Sequence, residues 1–106
     1  RSSMIQARIA GEEMDYLEKK LRQDWNEAVQ DYQVASAQLQ YFQDSGIREA
    51  KQIEFTATRQ LQQGEINFLD WVQLINQSIH LQQTYFDAVQ QYNDAAIAIQ
   101  FLTAKF

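Results

Sequence analysis

Apolar residues recur along this chain at alternating steps of four and three. The clearest run is Leu21, Trp25, Ala28, Tyr32, Ala35, Leu39 and Phe42, the heptad spacing that keeps one stripe of a helix turned toward a partner helix. Upstream, Ile5, Ile9, Met14 and Leu17 form a looser stripe between the charges Glu12, Glu13, Asp15, Glu18, Lys19 and Arg22. The spacing predicts one long helix over Ser3 to Phe42, with a more solvated first portion. Glu18 and Arg22 stand four residues apart with the acid first, a pairing that stabilises a helix by about 0.2–0.5 kcal/mol.

Asp44-Ser45-Gly46 reads as a stop signal. Glycine reaches the left-handed conformation that closes a helix, and Asp44 or Ser45 is a suitable cap for the next one. Helical periodicity nevertheless resumes at once with Ile47, Ala50, Ile53 or Glu54, Ala57 and Leu61. The expectation is a kink or local irregularity near Gly46 without a change of direction. At Gly64, the only glycine in the second half of the chain, the pattern stops more firmly. Asn67 is a good N-cap, and Asp70 complements the free amides and positive end of a helix starting there. A third helix is predicted from about Phe68 to Ala104.

That last helix carries two stripes. One is Leu81, Tyr85, Ala88, Tyr92, Ala95, Ile99, Leu102 and Phe106; the other, offset around the helix, is Phe68, Val72, Ile75, Ile79, Gln82, Phe86, Val89, Asn93 and Ala96. A helix in a simple two-stranded hairpin needs only one stripe, so two imply neighbours on two sides. A fold-back at Gly46 into a three-helix bundle, a four-helix dimer of hairpins, or a ring of hairpins would each supply them. A helix of 37 residues is about 55 Å long, which matches residues 26 to 63 if the chain reverses once, at Gly64. The expected fold is therefore all-α: one long antiparallel helical hairpin, a coiled coil turning at Gly64, that pairs into a larger helical bundle. Residues 1 to 24 would overhang it.

Composition agrees with helix almost throughout, since there is no proline and there are only three glycines. Glutamine is abundant, with 18 residues against four asparagines. As a neutral helix former it suits either a solvated face or a helix surface that meets other helices without fixed charge repulsion. The net charge of -5 argues against a nucleic-acid partner, which needs clustered Lys and Arg. Cysteine is absent, so there is neither a disulfide framework nor a thiolate metal site. No run approaches the roughly 18 apolar residues of a membrane-spanning helix. A chain beginning Arg1-Ser2-Ser3, without an initiator methionine, reads as a single unit over residues 1–106 taken from a larger protein.

Catalytic chemistry is not signalled. His80 is the only histidine and lacks a glutamate three residues before it, where Gln77 stands, so a ferritin-like di-iron site is not encoded. Triads and phosphate-binding glycine loops are missing as well. Glu12-Glu13 and the pair Asp87 and Asp94 read as solvated helix faces, and Met4 and Met14 as packing residues. No enzyme, cofactor or metal is expected. The thirteen aromatic residues fall mostly on or beside the stripes, with two exceptions. Phe68 and Trp71 lie in the first turn after Gly64, where a hairpin has little interior to hide them, and an apolar tip is a docking surface.

The segment Ala57-x-x-Gln60-x-x-x-Gly64-Glu65-Ile66-x-Phe68-Leu69, with Ile75, then Tyr85-Phe86-Asp87-Ala88-Val89-x-x-Tyr92-Asn93-x-Ala95 and Ile99-x-Phe101-Leu102-Thr103, resembles the outer-membrane efflux protein family, the TolC-type exit ducts. The likeness is to the heavy-metal branch, including TolC-like segments fused to heavy-metal pumps of the resistance-nodulation-division class. It covers nearly the whole chain as one periplasmic helix-turn-helix unit and is weakest before Trp25. The resemblance implies a component of a tripartite envelope efflux system, on the periplasmic side of a bacterial cell envelope, forming part of a helical duct. Its implied partners are a periplasmic adaptor protein, an inner-membrane pump and further copies in a dimer or trimer. Carried over residue by residue, Gly64, Glu65, Ile66, Asn67, Phe68 and Leu69 form the adaptor-binding tip, with Asp70 and Trp71 as its shoulder. Family members often carry a small or hydroxyl residue and a basic one after the glycine, where Glu65-Ile66-Asn67 stands here. The alternative reading is a generic coiled-coil oligomerisation or scaffold module with no transport role.

Overall fold

The computed structural model describes residues 2–105. Helix α1 spans Ser2–Tyr41 and passes through one π-helical turn, Phe42–Gly46, into α2, Ile47–Gln62; after a short reversal α3 spans Phe68–Thr103. Both α1 and α2 pack on α3 but not on each other. They are one rod lying antiparallel to α3, and the three-helix bundle is thereby excluded. The result is an elongated helical hairpin, 89 × 22 × 15 Å. No helix among the described residues is long and apolar enough to cross a membrane.

The buried residues are almost all small. Ala28, Ala35, Gly46, Ala50 and Ala57 on one arm face Ser78, Ala88, Ala95 and Leu102 on the other. Two helices enclose no interior, so only side chains short enough to lie beneath the line of contact leave solvent. The larger stripe residues, Trp25, Tyr32, Leu39, Phe42, Tyr85, Tyr92 and Ile99, flank that line half-buried. Both predicted stripes that face the hairpin mate are therefore present as read, apart from Phe106, which lies outside the described residues. The α3 stripe also extends farther toward the turn than its aromatic and aliphatic residues indicate, through Ser78 to Trp71.

The expected local irregularity near Gly46, without a change of direction, is present as a π turn, and it is not closed by the left-handed glycine or the caps that a helix stop would use. The backbone of Gly46 is right-handed helical, with φ -63°, and neither Asp44 nor Ser45 caps α2. The sequence contains one residue too many for an uninterrupted coiled coil. Ala28 to Ala35 is one heptad and Ala50 to Ala57 another, but Ala35 to Ala50 is fifteen residues, one more than two heptads. The π turn absorbs the extra residue, its mark being the bond from Ile47 N–H to the carbonyl of Phe42, five residues back. Ser45 Oγ donates to the Tyr41 carbonyl at 2.8 Å, and the Arg48 guanidinium donates to that of Asp44. Gly46 is needed for space: a Cβ there would stand 3.2 Å from Cδ1 of Phe42.

Residues 2 to 20 are exposed throughout, whereas Leu21 and Asp24 are half-buried, so the overhang is present but ends before Leu21, short of the expected residue 24. The Glu18–Arg22 pair forms at 3.5 Å with both side chains more than 70% exposed, which keeps its contribution small.

Candidate functional site: the hairpin tip

The turn is fixed at both ends by backbone chemistry that the sequence dictates. At the end of α2, Glu65 N–H reaches the Gln60 carbonyl at 2.9 Å and Gly64 N–H reaches that of Leu61 at 3.1 Å. These are the two bonds of a Schellman motif, which requires a left-handed residue between them. Gly64 supplies it with φ +76°, the only positive φ among the described residues. At the start of α3, Asp70 N–H donates to Asn67 Oδ1 at 2.7 Å and Asn67 N–H to Asp70 Oδ2 at 3.5 Å. This reciprocal capping box satisfies two of the amides left free at a helix start. The predicted cap and its partner thus occupy their expected roles.

The eight residues expected at the tip are brought together, but they divide by task. Gly64, Asn67 and Asp70 build the turn. Ile66 is half-buried behind it. Trp71 does not lie open, as its position in the first turn led one to expect. Its indole Nε1–H donates to Thr58 Oγ1 at 3.2 Å, and its ring tilts against that of Phe68 with centroids 5.7 Å apart. The indole is thereby drawn against α2 and half-buried. Glu65, Phe68 and Leu69 remain open to solvent, the two apolar side chains being 68% and 63% exposed.

Sequence reasoning missed two residues here. Thr58 is the anchor of Trp71, a pairing across the hairpin that no local pattern displays. Phe55, 68% exposed, adds a further aromatic on α2 beside a shallow groove formed with Thr58, Arg59, Gln62 and Gln63. Its signal was available, since it is a large aromatic two residues past the stripe position Ile53.

Elsewhere the polar chemistry is structural. Ser78, 1% exposed, donates its hydroxyl to the Ala50 carbonyl across the hairpin at 2.7 Å and accepts from Gln82 Nε2 at 3.2 Å. Tyr32 and Tyr92 join hydroxyls at 3.1 Å. That hydrogen bond, the electrostatic influence of Tyr92 and burial raise the Tyr32 hydroxyl above its ordinary value of 10.0. His80 is exposed and borders a shallow groove with Gln73, Asn76 and Gln77. Among the described residues no three His, Asp or Glu side chains are grouped so as to hold a metal ion. Compared with known protein families, curated proteins and solved structures, the chain matches none.

Proposed function

We propose that this hairpin is a passive structural component of a tripartite envelope efflux system, exporting heavy-metal or other cations, and that its tip docks a periplasmic adaptor. The hairpin contributes to a periplasmic helical duct of outer-membrane efflux type, working with an inner-membrane pump; no bond is made or broken. The observation that carries the reading is the display of Phe68 and Leu69 on a turn held by a Schellman motif at one end and a capping box at the other. A preorganised apolar tip loses little ordering entropy on binding, and the exposed Phe68 and Leu69 side by side form an apolar contact patch. The sequence resemblance around Gly64-Glu65-Ile66-x-Phe68-Leu69 supports an adaptor as the class of partner.

The test is the double substitution Phe68→Asp, Leu69→Asp in cells carrying the full efflux system. Loss of adaptor cross-linking and of metal resistance, with the hairpin still helical, is the expected result. Unchanged cross-linking and resistance would refute the tip assignment. A scaffold module with no transport role is the second reading, favoured by the exposed apolar residues Ile79, Phe86 and Ile97 on α3. Transmembrane pump genes at the same locus favour efflux; a locus without them favours the scaffold.

A further inference from the structure

The back of α2 is bare. Ala57 is buried against α3, and at about 100° per residue Lys51, Phe55 and Arg59 lie within about 60° of the opposite direction. They stand four residues apart in one row, all exposed, among the neutral Gln52, Gln62 and Gln63. Glu49 and Glu54, the acids of α2, point about 100° and 120° away from that direction. Arg48 ends the row, its guanidinium bonded to the carbonyl of Asp44, whose own charge offsets it. Among the described residues the one ion pair is Glu18–Arg22, so Lys51 and Arg59 are unneutralised cations on either side of an exposed phenyl ring. The groove between α1 and α3 has the opposite sign: Asp31 and Asp94 line it with Gln30, and Asp24 and Glu27 line its continuation.

We infer that this row docks an acidic helix of a partner protein, one that presents an acid, a large apolar residue and a second acid at steps of about four residues. A chain of net charge -5 repels such a helix over most of its surface, so this row is where it settles, and complementary charge sets its orientation. Lys51 and Arg59 are eight residues apart, about 12 Å along the axis. A helix lying along α2 has the same rise, so its two acids meet the two cations while its apolar side chain meets Phe55. The guanidinium of Arg59 accommodates a carboxylate through two parallel N–H donors. Beside Phe55, a groove of about 470 Å³ with Thr58, Gln62 and Gln63 receives the apolar side chain.

The chain does not encode this pattern itself. No two of its acids stand eight residues apart; those seven apart are Asp24 with Asp31 and Asp87 with Asp94, and midway lie Glu27 with Ala28 and Gln90 with Gln91. A second copy therefore cannot supply the helix, and the occupant is another protein. A phosphate-bearing surface is broader than the row and meets Glu49 and Glu54 on its flanks, whereas a single helix, about 10 Å wide, fits between them. The row is behind the turn, and its occupant does not depend on what Phe68 and Leu69 bind.

The probe is a labelled helical peptide carrying Glu, Leu and Glu at four-residue steps, titrated with the whole chain and followed by fluorescence anisotropy. Saturable binding is expected, weakened about tenfold by Lys51→Glu with Arg59→Glu, which turns two exposed pairs repulsive. Phe55→Gln should weaken it as well. Lys19→Glu with Lys20→Glu changes net charge equally, on the overhang, and should leave binding intact. The counterpart peptide with Lys, Leu and Lys should prefer the Lys51→Glu, Arg59→Glu protein to the parent at this row. Lys51→Gln with Arg59→Gln repeats the test if the glutamates lower helicity. No saturable binding, equal weakening by the overhang pair, or binding of phosphatidylglycerol vesicles in place of the peptide would each overturn the inference.

Discussion

Tyr32 and Tyr92 meet hydroxyl to hydroxyl at 3.1 Å across the hairpin, sixty residues apart in sequence, with ring centroids 5.4 Å apart. One of the two oxygens donates and the other accepts, so the pair holds α1 and α3 at one register. Replacing Tyr32 by Phe should lower stability in urea unfolding through the loss of one hydrogen bond. A double-mutant cycle with Tyr92→Phe should show coupling between the two positions.

The same pair sets a pH dependence at the alkaline end. Tyr32 has its folded-state pKa raised above the ordinary 10.0. Its contribution is therefore complete below the unfolded value and is lost as pH rises through the folded one. Unfolding free energy should fall above about pH 10, and the fall should be smaller in Tyr32→Phe. Equal alkaline losses in the two proteins would exclude the pair as its source.

The π turn predicts that position decides the effect of a deletion. Removing exposed Gln43 takes out the surplus residue between Ala35 and Ala50 and lets the helix run through unbroken. Stability should change little and helical ellipticity should be retained. Removing Gln30, in regular α-helix, rotates every earlier stripe residue by about 100° relative to the later ones. That deletion should lower the unfolding midpoint sharply.

At the tip, architecture and display separate experimentally. Gly64→Ala forces a side chain into left-handed backbone and should cost about 1–2 kcal/mol, while Asn67→Ala should cost about 0.5–2 kcal/mol through loss of the cap. Phe68→Asp and Leu69→Asp, at exposed positions, should each stay within about 0.5 kcal/mol of the parent protein. Thermal or urea unfolding of the four variants gives the comparison.

Much of this hairpin is legible in its residues because helix stripes, glycine turns and caps are local. The stripe from Leu21 to Phe42, the reversal at Gly64 and the Asn67–Asp70 cap are each encoded within a few positions. The π turn was harder: Asp44-Ser45-Gly46 carries the composition of a helix end, and only the fifteen-residue interval between Ala35 and Ala50 reveals that an extra residue is being absorbed. Ser78 and Thr58 were missed because their meaning lies in a partner 28 and 13 residues away. Trp71 was misplaced for that reason, its indole being drawn inward by Thr58.

The proposed docking role of the tip is tested most directly by site-specific photocross-linking in cells that carry the proposed efflux system. A photoreactive residue at Leu69 should capture the periplasmic adaptor, and one at Gln30, on the distant acidic groove, should not. Capture at both positions alike, or at neither, would contradict a docking site at the turn.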